Sequence, residues 1–284
     1  MIGPALEQAL AAAGLELHHA EPITGLAVTT LQRATFKLTL RDGRTIKGRR
    51  LDAPPHVARI VHVVTALGRP ELPRILWHGG TALLETWIDG APMPDQAGDA
   101  LVARCGRLLG AIHATPRRAP AGGTAEDLFE PPLDAGGYAS LAAWTFDELR
   151  RHDVVSAPFA ADLCAIAAAH APAEVEVGYV HGDFCAENLV VRPDGTPAAV
   201  DSGSVGVRAL DFDLARTWYR WPMSPAQAAA FADGYRHHRD DGSFLAHRPF
   251  WTLFALADAT LFRATTGAVN AHVPHERLTR LMGE

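Results

Sequence analysis

The sequence predicts an α+β fold of two unequal lobes, an N-terminal lobe over residues 1–88 and a larger C-terminal lobe over residues 89–284. Two patterns support this expectation. In the first lobe, apolar and polar residues alternate between turns that contain glycine and aspartate, which is typical of antiparallel strands. In the second lobe, apolar residues recur at helical spacing. We therefore expect a five-stranded antiparallel sheet with one helix, followed by a mainly helical lobe.

The elements of the N-terminal lobe follow from local signals. Residues 4–13 are predicted to form a short amphipathic helix ahead of the sheet. The pair Asp42-Gly43 predicts a hairpin turn between the second and third strands. The pair Pro54-Pro55 can open a helix, and Gly68 stops it. The five predicted strands cover residues 23–30, 34–40, 45–51, 74–78 and 82–87.

A turn-rich joint at residues 89–94 connects the two lobes, and helical patterns dominate beyond it. The stretch from residue 116 to residue 137 is rich in proline, glycine and alanine, which predicts an irregular surface insertion. No internal repeat appears. Helices are predicted at residues 101–113, 138–151, 158–170, 210–221, 225–238, 248–266 and 274–282.

Composition excludes several classes of protein. The net charge of -6, without any basic stripe, argues against a nucleic-acid partner. This charge suits a cationic small substrate, although it is more often a solubility feature. Because Cys105, Cys164 and Cys185 are odd in number and lack CxxC spacing, we expect neither disulfides nor zinc, and a reducing cytoplasm fits best. No secretory signal or membrane-spanning run is present, so no membrane partner is expected.

The most informative motif is His-Gly-Asp-Phe-Cys-Ala-Glu-Asn at residues 181–188. It follows an apolar strand-like run and precedes a predicted hairpin that ends at Asp201. An aspartate, an asparagine and a second aspartate in this order are the residues that phosphoryl transfer from a Mg-nucleotide requires. Asp183 can orient a hydroxyl nucleophile and accept its proton, whereas oxygens of Asn188 and Asp201 can hold Mg²⁺.

These residues resemble the H-G-D-x-x-x-x-N catalytic loop of the aminoglycoside phosphotransferase and choline kinase-like family. Residues 209–215 look like the D-L-A helix start of that family, in which the aspartate, here Asp213, usually braces the catalytic loop. Residues 106–115 are similar to a helix ending common there. The resemblance covers most of the chain and implies a bilobal protein-kinase-like fold, with Asp183 as the catalytic residue, Asn188 and Asp201 as ligands of Mg²⁺, and ATP as the phosphoryl donor.

The resemblance also implies a nucleotide site in the N-terminal lobe. Lys47 lies on the third strand, where the family places a phosphate-binding lysine, and Arg49 on the same strand face is the alternative. Residues 83–88 resemble the hinge between lobes, where backbone groups of Glu85 and Trp87 would contact the purine. Buried strand residues would show a similar pattern.

Three features depart from the family pattern. No acidic residue occurs between Ala53 and Pro70, so the helix lacks the glutamate that normally pairs with the lysine. The segment expected to cover the phosphates, residues 25–30, contains a single glycine. Ser202 replaces an aromatic residue that kinases often carry after the second aspartate.

The function expected from these residues is ATP-dependent transfer of a phosphoryl group to a hydroxyl of a small molecule. The family allows an aminoglycoside or other antibiotic, an amino sugar or a choline-like alcohol as the acceptor. The alternative is a pseudokinase or nucleotide-binding interaction module, which the missing helix glutamate and the glycine-poor segment favour and the intact set of Asp183, Asn188 and Asp201 disfavours. A protein kinase is disfavoured because no A-P-E-like segment follows Asp201.

Two groups of residues in the C-terminal lobe are candidates for contacts with the acceptor, and each has a plainer interpretation. Four aspartates could meet a cation or simply be solvated: Asp233, Asp240, Asp241 and Asp258. Four aromatic residues could line a cleft or pack in the core: Trp218, Trp221, Trp251 and Phe254.

Overall fold

A computed structural model describes residues 2–23, 34–118, 133–266 and 272–283. Its helices are α1 (Pro4–Ala12), α2 (Pro54–Leu67), α3 (Asp99–His113), α4 (Ala135–Arg151), α5 (Ala157–His170), α6 (Leu210–Arg220), α7 (Pro225–Arg236), α8 (Gly242–Ala246), α9 (Arg248–Thr266) and α10 (His272–Met282). Its strands are β1 (Leu17–Pro22), β2 (Ala34–Leu40), β3 (Thr45–Arg50), β4 (Ile75–Gly79), β5 (Ala82–Thr86), β6 (Ala91–Pro92), β7 (Val177–Val180), β8 (Leu189–Val191), β9 (Pro197–Ala199) and β10 (Gly206–Ala209).

The predicted five-stranded antiparallel sheet is present, with strand order β1-β2-β3-β5-β4. Its first strand, β1, was not among the predicted strands, and most of the strand expected at residues 23–30 lies outside the described residues. β1 is largely exposed and its sequence, LHHAEP, does not alternate between apolar and polar residues. An edge strand needs no buried face, so hydrophobic periodicity could not reveal it.

One face of the sheet is apolar and packs against α1, whereas the other carries charged side chains. Ile46 and Leu84 lie in a hydrophobic cluster with residues of α1, which covers one face. Successive side chains of a strand point to opposite faces, so Lys47 and Arg49 of β3 lie on the other face. Glu85 is the register partner of Lys47 on the neighbouring strand β5 and shares that face. Three charged side chains are thereby placed on the face opposite α1.

Helix α2 begins at the predicted Pro-Pro pair and ends at Gly68, whose φ of 55° is left-handed. Its apolar side chains, among them Ile60 and Val64, join the core of the helical part of the chain. Leu83 of the sheet belongs to the same core. The helix therefore lies between the sheet and the rest of the molecule.

The core of the helical part is formed around α9. Trp251 and Phe254 of α9 are buried, as is Trp221, which supports their interpretation as packing residues. Helices α3 and α7 cross with their backbones in contact, because a Cβ atom on Gly234 would lie 1.9 Å from the Ala103 carbonyl oxygen. Glycine permits this close approach.

Two short antiparallel pairings position the motif residues. β7, which leads into the 181–188 loop, pairs with β10, which leads into α6. β8 pairs with both β9 and β6, so the predicted hairpin after the loop is present.

None of the described helices is long and apolar enough to span a membrane. The division of the chain between residues 88 and 89 stays a prediction.

Candidate active site

The loop after β7 holds Asp183 and Asn188 together. The side-chain nitrogen of Asn188 donates to the Asp183 side-chain oxygen Oδ2 and to its backbone oxygen, both at 2.8 Å. Because both amide hydrogens of Asn188 are used in this way, its amide oxygen is the atom that can meet a cation. The same contact fixes the plane of the Asp183 carboxylate.

Asp213, at the start of α6, braces this loop from below, as the resemblance implied. Its two carboxylate oxygens accept hydrogen bonds from the backbone N–H groups of His181 and Gly182, at 3.0 and 2.9 Å. The ring atom Nε2 of His113 lies 3.1 Å from Asp213 Oδ2, and Nδ1 of the same ring lies 2.9 Å from the Tyr235 hydroxyl. Burial alone would raise the pKa of Asp213, but the hydrogen bond and charge of His113 lower it overall.

Gly182 brings the loop against the segment that follows Asp201. Its φ is 75°, and a Cβ atom there would lie 2.2 Å from the Ser204 carbonyl oxygen. A side chain at this position would therefore collide with the backbone of the 3₁₀ turn Ser202–Ser204. The glycine of the His-Gly-Asp motif has a steric reason as well as a conformational one.

Asp201 lies beside Asn188 at the end of the β8–β9 hairpin. The Val200 N–H donates to the Asn188 backbone oxygen at 2.8 Å, which ties the two positions together. Asp201 has a left-handed backbone with φ 62° and ψ 63°, an uncommon conformation that aspartate adopts more readily than most residues. Its side chain is 50% exposed, so the carboxylate can reach a ligand.

The residues present fit a magnesium ion that is shared with a nucleotide. No group of three or more His, Cys, Asp or Glu side chains that could hold a metal occurs among the described residues. Mg²⁺ is usually bound by one or two protein oxygens together with phosphate oxygens and water, and needs no cage made of protein alone. The amide oxygen of Asn188 and the half-exposed carboxylate of Asp201 supply that donor set.

Arg49 connects the sheet to the Asp201 segment. Its Nη2 atom lies 3.3 Å from Asp201 Oδ1, and its Nη1 atom donates to the Ser202 hydroxyl at 3.0 Å. The Ser202 hydroxyl donates to Glu85 at 2.7 Å, and Glu85 Oε2 lies 3.6 Å from Arg49 Nη1. Glu85, the buried acid that faces this arginine, is thus held on the neighbouring strand, whereas α2 carries no acid.

Lys47 is buried on the same face of β3 as Arg49. Burial lowers the pKa of Lys47, the charge of Arg49 lowers it further, and Glu85 and Asp201 oppose both effects. The two cations predicted as alternatives are therefore close together. Arg49 is the one that contacts Asp201.

The expected hinge lies at the end of β5. The backbone of Glu85 is inside the ladder, between β3 and β4, whereas Trp87 follows the last residue of the strand. Lys37 Nζ lies 5.0 Å from the centre of the Trp87 ring, a cation–π contact. Trp87 also borders a cavity of about 590 Å³ whose lining includes Arg74 and Arg192. Purine contacts at Glu85 and Trp87 stay a prediction.

Helix α2, which carries no acidic residue, contacts the site through a histidine. His56, in the first turn of α2, places Nε2 3.0 Å from the Gly203 carbonyl oxygen. Gly203 lies in the 3₁₀ turn directly after Asp201. The helix is thus joined to this segment by a contact with the backbone.

Two arginines outside the predicted site contact Asp183. Arg220 Nη1 lies 3.0 Å from Asp183 Oδ1, and Arg216 Nη2 lies 3.7 Å from the same oxygen. Both belong to α6, three and seven residues after Asp213, and such positions share one helix face. This spacing from the bracing aspartate was the available signal.

Of the four aspartates considered for a cationic acceptor, Asp258 is linked to the loop through Arg216, which also lies 3.7 Å from Asp183. It contacts Arg216 at 3.4 Å, and burial raises its pKa while Arg216 opposes that rise. Asp241 is buried and pairs with Arg236 at 2.7 Å. Asp258 and Asp241 therefore each pair with an arginine of their own.

Comparisons with known proteins show which structures share this fold. Among solved structures, the macrolide 2'-phosphotransferase MphH from Brachybacterium faecium is 14% identical, with 95% of this chain and 94% of that chain covered and a TM-score of 0.66. The choline kinase LicA from Streptococcus pneumoniae is 13% identical, with 96% and 94% covered and a TM-score of 0.64. The amicoumacin kinase hAmiN, solved with AMP-PNP, Ca²⁺ and Ami, is 13% identical, with 95% and 89% covered and a TM-score of 0.67.

At such identities these structures establish the fold, and the expected protein-kinase-like architecture is confirmed. No curated protein gives a significant sequence match. The sequence profile of the phosphotransferase enzyme family matches residues 4–248, which is most of the chain. The loop of Asp183 and Asn188, its brace Asp213 and the neighbouring Asp201 all lie inside the matched region, and the chain belongs to the phosphotransferase enzyme family.

Proposed function

We propose that this phosphotransferase moves the γ-phosphoryl group of ATP to a hydroxyl group of a small molecule. The observation that supports this most directly is the arrangement of three residues. Asn188 is hydrogen-bonded to Asp183 on one side, and its backbone is tied to the Asp201 segment on the other. One short segment therefore joins a residue suited to the acceptor with two residues suited to a metal-bound donor.

On the donor side, Asn188 and Asp201 would hold Mg²⁺ and Arg49 would contact the phosphates, with Lys47 beside it. When bound, Mg²⁺ neutralises charge on the phosphate oxygens and orients them. Arg49 is suited to bind a phosphate group because its guanidinium is fixed by Ser202 and Glu85 and reaches the Asp201 carboxylate. A planar fork held in place binds phosphate without much loss of side-chain entropy.

On the acceptor side, Asp183 would accept a hydrogen bond from the attacking hydroxyl. The hydroxyl oxygen forms the new bond to the γ-phosphorus, and the bond from that phosphorus to the β,γ-bridging oxygen breaks. The hydroxyl proton passes to the Asp183 carboxylate and on to water, and ADP leaves with the bridging electrons. Positioning supplies most of the acceleration in such a transfer.

The names of the structural neighbours support a small acceptor, since they include a macrolide phosphotransferase, a choline kinase and an amicoumacin kinase. We propose an aminoglycoside or other antibiotic, an amino sugar or a choline-like alcohol, with a cationic group suited to the net charge of -6. We place the reaction in the cytoplasm, where ATP is available and the unpaired thiols of Cys105, Cys164 and Cys185 stay reduced.

Thermal stabilisation by nucleotide tests the donor site. The wild-type protein should melt at higher temperature with Mg·ATP or Mg·GTP than with either nucleotide and EDTA, because binding to the native state alone stabilises it. Asp201→Asn should lose the part of this shift that depends on Mg²⁺. An unchanged melting temperature at millimolar nucleotide would favour the pseudokinase alternative.

Phosphoryl transfer is then measured as ADP release with a panel of hydroxyl compounds that includes aminoglycosides, amino sugars and choline. Asp183→Asn should bind Mg·ATP as the wild type does and lose about 10²-fold or more in turnover. Near-normal transfer by this variant would remove Asp183 from the reaction.

A further inference from the structure

Arg220 blocks access to one oxygen of the Asp183 carboxylate. The Oδ1 atom is buried, and Arg220 Nη1 and Arg216 Nη2 lie against it at 3.0 and 3.7 Å. An acceptor hydroxyl needs to come within about 3 Å of a carboxylate oxygen in order to donate to it. The two arginines leave no room for that approach at Oδ1.

The other oxygen keeps an acceptor site. Oδ2 of Asp183 accepts one hydrogen bond, from the Asn188 side chain at 2.8 Å. A carboxylate oxygen has two lone pairs, so Oδ2 can accept a second hydrogen bond from an incoming hydroxyl. The acceptor hydroxyl would then donate to Oδ2, the oxygen that is hydrogen-bonded to Asn188, close to the predicted metal ligands.

The guanidinium of Arg220 is itself held by the catalytic loop. Its Nη2 atom lies 2.9 Å from Glu187 Oε2 and 3.5 Å from Cys185 Sγ, and its side chain is only 17% exposed. Burial alone would lower the pKa of Arg220, but the charge of Asp183 and its neighbours raises it overall. The fork spans two carboxylates of one loop, which a lysine ammonium could not do.

Helix α6 supplies both supports of the loop. Asp213 in its first turn accepts from the backbone of His181 and Gly182, and Arg220 in its last turn holds the side chain of Asp183. Both contacts are present in the structure. A group that is fixed before the reaction begins contributes more to catalysis than one that must be ordered during it.

From this geometry we propose that Arg220 is a positioning residue for phosphoryl transfer: it seals Oδ1 of Asp183 and presents Oδ2 to the acceptor hydroxyl. The proposal rests on the proposed function. Loss of Arg220 admits water to Oδ1 and leaves the Asn188 hydrogen bond as the main restraint on the Asp183 carboxylate, which is then held less firmly. The expected loss is therefore in turnover and not in nucleotide binding.

The test uses the full chain with the fastest acceptor of the panel, or water where no acceptor exceeds it. Arg220→Ala should lower kcat about 10²-fold, with the Kd for Mg·AMP-PNP changed by less than about threefold. Millimolar guanidinium added to Arg220→Ala should restore kcat about tenfold, because a free guanidinium can occupy the vacated site. Arg220→Lys should fall between wild type and Arg220→Ala, since it keeps the charge and loses the fork.

The matched control is Arg236→Ala, which removes an arginine that forms two hydrogen bonds with Asp241, a residue outside the catalytic loop. Guanidinium should not change its kcat. Turnover of Arg220→Ala within threefold of wild type, or a loss that guanidinium does not restore, would overturn the proposal. If Arg220→Ala fails to fold, wild-type kcat in Arg220→Lys would overturn it instead. A wild-type protein that binds no Mg-nucleotide would overturn the proposed function as well.

Discussion

The Arg49 guanidinium lies 3.6 Å from the Glu85 carboxylate on the neighbouring strand, and the two side chains are 2% and 0% exposed. The Ser202 hydroxyl joins them and extends the contact to the segment after Asp201. Strands of one sheet keep their spacing when a neighbouring helix shifts. The cation at the proposed phosphate site is therefore positioned by the sheet and does not depend on α2.

Glu85→Gln tests the energetic importance of this pair. The variant leaves a buried guanidinium with Asp201 as its remaining carboxylate partner, so we expect the free energy of unfolding to fall by about 3 kcal/mol. Urea denaturation at neutral pH measures it. Asp147→Asn, which breaks the exposed ion pairs with Arg150 and Arg151, is the control and should cost less than about 1 kcal/mol. Equal losses in the two variants would contradict the interpretation.

Nucleotide affinity tests whether Arg49 or Lys47 makes the principal contact with the phosphates. Arg49→Lys should weaken Mg·ATP binding about tenfold or more, because a lysine cannot bond Ser202, reach Asp201 and bind a phosphate together. Lys47→Met should have a smaller effect. Titration calorimetry gives both affinities, and the reverse order would show that Lys47, the choice from the sequence, makes the principal phosphate contact.

The brace of the catalytic loop should give a pH-dependent contribution to stability. The pKa of Asp213 in the folded protein is below its ordinary value of 3.8, so ionised Asp213 stabilises the fold above that pH. The stabilisation is lost as the pH falls through the lowered pKa. Asp213→Asn should be less stable than wild type by about 3 kcal/mol at pH 7, and the difference should shrink below pH 3.8. A difference that stays constant between pH 7 and pH 3 would contradict the assignment.

The contact between α3 and α7 predicts the effect of a single methyl group. Gly234→Ala places Cβ 1.9 Å from the Ala103 carbonyl oxygen, so the two helices must separate, at a cost of about 2 kcal/mol or more. Gly136→Ala in α4, where Cβ would meet Asp134 Oδ1 at an ordinary 3.6 Å, should be neutral or stabilising. Thermal melts of both variants provide the comparison.

Local sequence signals predicted much of the fold. The hairpin at Asp42-Gly43, the start of α2 at a Pro-Pro pair and its end at Gly68 depend on residues that are adjacent in sequence. The strand β1 was missed because it is an exposed edge strand, and β10 was missed because its sequence, GVRA, contains no run of apolar strand-forming residues. Such strands are defined by their partners and not by their own pattern.

The same distinction applies to the candidate site. Asp183 and Asn188 were evident because they are five residues apart in one motif. The network around Arg49 joins residues separated by 153 and 117 positions, which no local pattern could reveal. Arg220 lies 33 positions from its partner Glu187, and only the packing of α6 against the loop brings them together.

The pairing of β6 with β8 determines where the molecule can bend. Ala91 and Pro92 pair with Val191 and Val190 of the strand that follows the catalytic loop, and a Cβ atom on Gly90 would lie 2.6 Å from the Val191 oxygen. The connecting chain is thus fastened to the catalytic half from Gly90 onward. If the sheet tilts during turnover, it pivots about the residues before Gly90. The space between the sheet and the catalytic loop can then widen while Asp183 and Asn188 keep their places.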